Sequence, residues 1–496
     1  MTYEELLAEN KELKQQISFL KGELAQLKKL IFGQKSERFV PNNVDVDQLG
    51  FFEPEVAKQE DQGPEETEQI NYTRSKQKKH KGRRPLPDHL PVEVHVLQPE
   101  QDTVGLKQIG TEVTEKLDYR PAKLVRIRYE RPKYVQVSKD EQTGQATEKI
   151  LIADLPIEPI PKGIAKSGLL AYLIVSKFVD HLPFYRIIQM FKRDYGYELC
   201  DSTLNGWFVS CSALLEPLYN KLKQKVLQSD YLQVDETPIR VLESEQKGKS
   251  HRGFQWVYHS VEQGLVLFHY RKGRGENGPK EVLAGYEGYL QCDGYTVYDK
   301  IGKQEGITLI GCIAHSRRKF HNALGNAEQL AKAALEQFKE IYVIERKYRQ
   351  NKITAIERRD QINEKLEGLK KWVEEKYPST LPKSDIHKAM KYFLNQWHKL
   401  KNVTLDPRVR IDNNIVENRI RPLALGRKNY LFAGNHNAAQ RIAMYYSFFA
   451  SCKSQNVNPW EWLKTTLDRI PTHPINRIEE LLPSNYNTRN SVSSHR

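Results

Sequence analysis

Y-L-Q-V-D-E-T-P-I, residues 231–239, is an apolar, strand-like run with an acid inside it, Asp235. A second run, Y-L-Q-C-D-G-Y at 289–295, carries Asp293. A third acid, Glu417, stands in D-N-N-I-V-E-N-R-I-R-P-L, 412–423, which reads as the opening of an Arg-rich helix. Carboxylates are costly in buried strands unless a partner offsets their desolvation. Divalent cations that prefer carboxylate oxygens are the usual partner. Two such ions, about 3.5–4 Å apart, can activate a water or hydroxyl and stabilise the leaving oxygen of a phosphodiester. The three acids therefore point to metal-dependent chemistry on DNA.

The segments around these acids suggest how they meet. Residues 231–242, 254–261 and 264–270 read as three successive strands, the last pair joined by a tight turn at 262–264. A helix at 279–285, a short strand ending at Asp293 and a buried strand at 307–314 follow. The order β-β-β-α-β-α-β is that of an α/β ribonuclease-H-like core. In such a core Asp235 lies on the first strand and Asp293 at the end of the fourth, its neighbour. Glu417 must then arrive from a later helix. Helical periodicity at 328–348, 353–375 and 386–401 predicts an all-α subdomain inserted between the fifth strand and Glu417. Trp372 and Trp397 read as anchors of that subdomain, with base stacking as the alternative. A closing helix is expected at 438–453.

Upstream, Leu6, Leu13, Leu20 and Leu27 recur every seventh residue, with Asn10, Ile17, Leu24 and Ile31 at the partner spacing. Leucines at d, Ile at a and one Asn at a favour a parallel dimer with fixed register. Packing of this helix on its own chain is the competing reading. Residues 53–68 are acidic, and R-S-K-Q-K-K-H-K-G-R-R at 74–84, including Lys78, Lys79, Arg83 and Arg84, has no acid. This stretch reads as a solvated linker or as a phosphate-neutralising arm. Alternating runs at 124–129 and 133–137 suggest a small β-ribbon. Helices are expected at 168–178, at 183–195 stopped by Gly196, and at 204–215 capped by 201–203. The last two are compatible with a helix-turn-helix, although many helix pairs of this kind only contact core. Trp207 and Phe208 read as core.

The expected order is thus a zipper-like helix (1–38), an acidic then basic linker (39–91), a β-rich module (92–154) and a helical module (155–228). The catalytic core follows in two parts (229–322 and 412–470) around the helical insertion (323–411), before a tail (471–496). At 496 residues several domains are expected. Lys and Arg total 77 against 63 Asp and Glu, and the net charge of +14 favours a polyanionic partner. Five cysteines without a C-x-x-C pair argue against a disulfide framework and a standard zinc finger. The N-terminus lacks an apolar signal segment, and the longest apolar stretch, 169–179, is too short to span a bilayer.

Each candidate has a plainer reading. Asp235 could pair with Arg240, Asp293 could cap a turn before Gly294, and Glu417 could be a first-turn acid favoured by the helix dipole. Asp412 could replace Glu417. Cys312 and His315 could be half of a zinc site or a reactive pair, but a structural role beside the site is favoured. Arg410, Arg419, Arg421, Arg427 and Lys428 surround the Glu417 helix; a run this dense beside carboxylates suits substrate phosphates.

The chain resembles bacterial transposases of the Asp-Asp-Glu class, in the insertion-sequence sixty-six family. The resemblance is carried by L-K-K-L-I-F-G-Q-K-S-E-R (27–38), G-R-R-P-L-P (82–87), L-D-Y-R-P-A (117–122), R-P-K-Y (131–134) and D-H-L-P-F-Y-R (180–186). It continues through V-D-E-T-P (234–238), C-D-G-Y (292–295), G-C-I-A-H-S-R-R-K-F (311–320) and V-E-N-R-I-R-P-L-A-L-G-R-K-N-Y-L-F-A-G (416–434). It implies a catalytic triad on Asp235, Asp293 and Glu417, two Mg²⁺ (or Mn²⁺) ions, and a C-x-x-H element on Cys312 and His315. Implied partners are double-stranded DNA (the element's terminal repeats and a target), a homodimer or larger assembly, and small accessory proteins. The implied location is the bacterial cytoplasm, at the nucleoid, with no membrane partner. Similar transposases commonly carry a Cys-rich zinc segment corresponding to 97–138; this chain has no Cys there, so no zinc is expected. A Mg²⁺-dependent nuclease and a non-catalytic DNA-binding regulator are the alternative functions.

Overall fold

A computed structural model describes residues 124–486, with breaks at 131–132, 140–145, 153, 162 and 245–248. The zipper residues Leu6 to Ile31, the basic arm with Lys78, Lys79, Arg83 and Arg84, and most of the β-rich module lie outside the described residues. Residues 126–486 fall within one compact unit.

Two strands, β1 (Lys133–Lys139) and β2 (Ala146–Ile152), form an antiparallel hairpin. The strand expected at 124–129 is not formed. Residues 124–130 are irregular, and Leu124, Val125, Ile127 and Tyr129 are exposed. Among the described residues no strand pairs with this run, and alternation alone does not make a strand.

Three helices follow: α1 (Ser167–Phe178), α2 (Phe184–Tyr195) and α3 (Asp201–Leu227). Gly196 ends α2 in the left-handed conformation, φ 61°, as glycine allows at a helix C-terminus. The residues expected to cap α3 already lie inside it. α3 also runs past the expected end at Leu215, through Pro217. Leu218, Leu222 and Val226 extend the buried stripe of Leu204, Cys211 and Leu215, and that burial outweighs the hydrogen bond lost at proline. Trp207 and Phe208 are buried, and Phe208 packs against Tyr445 with ring centroids 4.7 Å apart.

The central sheet contains β3 (Tyr231–Val241), β4 (His251–Ser260), β5 (Leu265–Arg271), β6 (Gly288–Gln291) and β7 (Ile307–Ile310). Its spatial order is β5-β4-β3-β6-β7. The first three strands are antiparallel, whereas β6 and β7 join in parallel. The short helices α4 (Asn277–Val282) and α5 (Thr296–Ile301) make the crossovers. β7 is shorter than expected because α6 (Ile313–Asn322) begins directly after Cys312.

An antiparallel helical insertion comes next: α7 (Glu328–Arg349), α8 (Ala355–Lys376) and α9 (Asp385–Leu400). Phe338, Ile341, Leu366, Leu369, Met390 and Phe393 share one core there, with Trp372 and Trp397 packed against it. Arg358 is buried in that core; its Nε donates to Glu345 at 2.6 Å and its Nη2 to the Val409 carbonyl at 2.9 Å. The insertion thereby holds the segment that leads into α10 (Asn414–Tyr430).

The chain closes with α11 (His436–Ser454) and α12 (Pro459–Arg469). α11 covers the free edge of the sheet. Ser447 Oγ accepts the Phe268 amide at 2.7 Å, and Ser451 Oγ accepts the Val266 amide at 2.9 Å. Edge amides with no ladder partner are thus satisfied by side chains. Among the described residues no helix is long and apolar enough to cross a membrane.

Candidate active site

Tyr231, Leu232 and Gln233 pair in register with Tyr289, Leu290 and Gln291 across the parallel β3–β6 ladder. Asp235 and Asp293 each stand two residues beyond the glutamine pair, Asp293 just past the end of β6, and their carboxylates are close enough to act on one another. The two stretches Y-L-Q-V-D and Y-L-Q-C-D are thus one pattern used twice, on neighbouring strands.

The two glutamines are buried and bring in the third acid. Gln233 Nε2 donates to Gln291 Oε1 at 2.9 Å and to the Asp412 carbonyl at 3.0 Å. Gln233 Oε1 accepts the Val416 amide at 3.3 Å. Gln291 Nε2 donates to the carbonyls of Gly311 at 3.1 Å and Arg410 at 2.8 Å, while its Oε1 accepts from the Tyr231 hydroxyl at 2.6 Å. The Tyr231 hydroxyl in turn accepts the Arg410 amide at 3.2 Å. This buried network fixes the chain from 410 to 416 on the sheet and so sets Glu417 in the first turn of α10. Tyr231, Gln233 and Gln291 were missed as site residues from sequence, although the duplicated motif contained the signal.

Asp235 is half-buried. Burial first, and then the carboxylates of Glu236, Asp293 and Glu417, push its carboxyl well above the usual carboxylate range. One of its oxygens accepts the Glu236 amide at 2.7 Å, and no ion pair joins it to Arg240 among the described residues. Asp293 does cap a turn, its Oδ1 accepting the Tyr295 amide at 2.9 Å, which leaves the other oxygen for the site. Gly294 beside it lets the Tyr392 ring pack close, since a Cβ there would lie 2.6 Å from the end of that side chain. Lys399, fully buried, donates to the Asp293 carbonyl at 3.4 Å and pairs with Asp299 at 2.9 Å.

Glu417 is buried. Its oxygens lie 3.5 Å from His315 Nε2 and 3.5 Å from Arg318 Nη2, longer than tight ion pairs, and Oε1 has no hydrogen-bond partner. Burial lowers the His315 pKa, while Glu417 and Asp293 oppose the shift. Cys312 is buried and its thiol is pushed up by that burial; its sulfur accepts the Asn413 amide at 3.4 Å, joining α6 to the approach of α10. Asp412 faces elsewhere: it accepts from the Tyr342 hydroxyl at 3.2 Å and the Asn414 amide at 3.3 Å, and burial pushes its pKa up to about 6.

The basic residues of α10 divide. Arg427 Nη1 donates to Thr237 Oγ1 at 2.7 Å and to the Pro238 carbonyl at 2.5 Å, tying α10 to β3. Arg419 is half-buried, and burial lowers its pKa. Arg421 and Lys428 are exposed. The arrangement offers hard oxygen donors that act on one another, one buried carboxylate oxygen without a hydrogen-bond partner, and the Arg318 guanidinium 3.5 Å from Glu417. Among the described residues no group of three or more His, Cys, Asp or Glu side chains is close enough to hold an ion as it stands.

A mixed α/β sheet, with a helix that follows a long helical insertion docked against it, fits a DDE transposase. The family model described as Transposase IS66 family matches residues 162–441. Two further models match: Transposase C of IS166 homeodomain at 20–94 and the IS66 C-terminal element at 447–484. The chain belongs to the IS66 transposase family. Among similar proteins, the uncharacterised protein y4qI of Sinorhizobium fredii is 31% identical over 420 residues, 80% of this chain and 76% of that protein. The uncharacterised protein y4jD of the same organism is 29% identical over 515 residues, covering 98% of each chain.

Proposed function

We propose that this protein binds the ends of its insertion sequence and catalyses DNA strand cleavage and strand transfer, using Asp235, Asp293 and Glu417 on a ribonuclease-H-like core. The observation that carries the reading is the register of β3 and β6 together with the glutamine network, which supports a shared site for three acids far apart in sequence. The donor set fits divalent cations: the three carboxylates supply hard oxygens, Asp235 is crowded by like charge, and Glu417 Oε1 lacks a partner. Asp235, Asp293 and Glu417 would hold Mg²⁺ or Mn²⁺, which when bound would supply Lewis-acid activation of water or a 3′-hydroxyl at a phosphodiester. The carboxylates position and charge-balance that chemistry; none acts as the nucleophile. Tyr231, Gln233 and Gln291 hold Glu417 in place, and Cys312 and His315 support the α6–α10 junction. Arg419, Arg421 and Lys428, with the arm at Lys78, Lys79, Arg83 and Arg84, contribute phosphate contacts, and Arg427 keeps α10 on β3.

A zipper through Leu6, Asn10, Leu13, Ile17, Leu20, Leu24 and Leu27 would make the protein a homodimer, which suits the joining of two element ends. The match to the family model at 20–94 supports this in part. The decisive experiment incubates the full chain with Mg²⁺ and duplex DNA carrying the element's boundary, with Asp235→Asn as control. Cleavage at the boundary followed by joining, both lost in the variant while DNA binding persists, is the expected result. Cleavage without joining would make the protein a nuclease; binding with no cleavage would make it a DNA-binding regulator.

A further inference from the structure

Arg274 lies in the loop after β5, K-G-R-G at 272–275. Its side chain is 48% exposed, yet it is held on several sides. Nε and Nη2 donate to one oxygen of Glu236, at 3.0 and 2.6 Å. That carboxylate is itself fixed: its side chain is 2% exposed, and its second oxygen accepts from the buried Tyr298 hydroxyl at 2.8 Å. Beneath the guanidinium lies the Tyr295 ring, with the Arg274 Cζ 4.1 Å from its centroid. The Tyr295 hydroxyl donates back to the Arg274 carbonyl at 2.8 Å.

Each of these supports is tied to the acid site. Glu236 follows Asp235 on β3. Tyr295 is the residue whose amide donates to the Asp293 carboxylate. The guanidinium is therefore mounted at the edge of the carboxylate cluster, with Nη1 left without a protein partner among the described residues. Pairing with Arg274 offsets the burial of Glu236, so the pair has structural weight; the stacking ring and the tethered backbone orient the guanidinium beyond what that pairing needs. A planar, oriented fork with a donor facing solvent suits a phosphate oxygen.

We propose that Arg274 is a phosphate-binding residue that grips one non-bridging oxygen of the DNA strand entering the carboxylate site, next to the phosphodiester to be cut. This deepens the proposed function and rests on it. Glu236, Tyr295 and Tyr298 are positioning residues that act through Arg274.

The test uses the full chain and the element-boundary duplex, with single phosphates replaced in turn by neutral methylphosphonates, and binding measured across a salt series. In the wild type, one or two replacements beside the cut position should weaken binding by about threefold to tenfold, as the loss of a charge-assisted contact does. In Arg274→Ala those same replacements should cost nothing further, penalties elsewhere should persist, and the salt slope should fall by about one. Arg274→Lys should restore the slope but only part of the positional penalty, because it keeps the charge and loses the fork. Thermal unfolding of both variants separates this pattern from misfolding; should Arg274→Ala fail to fold, Arg274→Lys alone decides by its positional penalty. An unchanged methylphosphonate pattern and salt slope in a folded variant would overturn the inference while leaving the proposed function intact. The expected pattern with no cleavage by the wild type would uphold Arg274 and defeat the catalytic reading. No DNA binding by the wild type would defeat both.

Discussion

At the residue scale, the position of Glu417 depends on side chains that are themselves buried. Gln291 makes four hydrogen-bond contacts in a buried setting, two of them to carbonyls of the segments that flank α6 and α10. Gln291→Leu keeps the volume but leaves those carbonyls unpaired. It should lower stability by about 2–4 kcal/mol in urea unfolding. At temperatures where it stays folded it should lose cleavage at least about tenfold, since displacing a site group by about 1 Å can cost that much. Full activity in a folded Gln291→Leu protein would show that Glu417 is held by other means. His259, opposite Gln233 on β4, is a different case. Both its ring nitrogens are buried without partners, and burial, with help from the Arg419 charge, lowers its pKa from 6.5 to about 3. The folded state thus prefers neutral imidazole. The associated stability is complete above pH 6.5 and is lost as pH falls towards 3, by up to about 1.4 kcal/mol per pH unit. His259→Phe should remove that slope from pH-dependent unfolding and raise stability at pH 7 by about 1 kcal/mol. An unaltered acid slope would assign it to other groups.

At the element scale, the sheet is finished by helices from the far end of the chain. β5 is an edge strand, and α11 presents Ser447 and Ser451, one helical turn apart, to its outward amides. Ser447→Ala and Ser451→Ala should each cost about 1–3 kcal/mol, because a buried N–H loses its acceptor. Hydrogen exchange at Phe268 and Val266 respectively should quicken in step; unchanged protection at those amides would mean the hydroxyls are dispensable. The helices of the insertion were read from sequence nearly to their ends because their apolar periodicity is long. α3 runs past the expected end at Leu215 and through Pro217, where tertiary burial overrides a strong local stop. The run at 124–129 has strand alternation without a strand, since pairing partners are not encoded in the run itself.

At the scale of the whole molecule, the fold concentrates negative charge at one point of a chain whose net charge is +14. Asp235 is held beside three other carboxylates, a strained arrangement of the kind that trades stability for function. In the absence of divalent ions, Asp235→Asn should unfold at a higher temperature than the wild type, by on the order of 1 kcal/mol of added stability. Adding Mg²⁺ should raise the wild-type melting temperature and move the variant less, because ions that bind the native site stabilise it by mass action. An equal Mg²⁺ response in both proteins would place the cation elsewhere.

The sequence by itself determined the elements that carry the acids, the strand-rich middle, the helical insertion and the family, because those depend on local periodicity and on ordered motifs. It also held the duplicated Y-L-Q-x-D pattern, although its meaning appears only once β3 and β6 are seen in register. Only the tertiary structure decided between Glu417 and Asp412 as the neighbour of Asp235, because both lie in one short stretch and the choice depends on how α10 docks. It alone turned Arg427 towards β3, made Cys312 a joint between α6 and α10, and raised Arg274 on a platform of Glu236 and Tyr295. Such assignments rest on contacts between residues far apart in the chain, where the energy of a buried hydrogen bond depends on partners that no local pattern names.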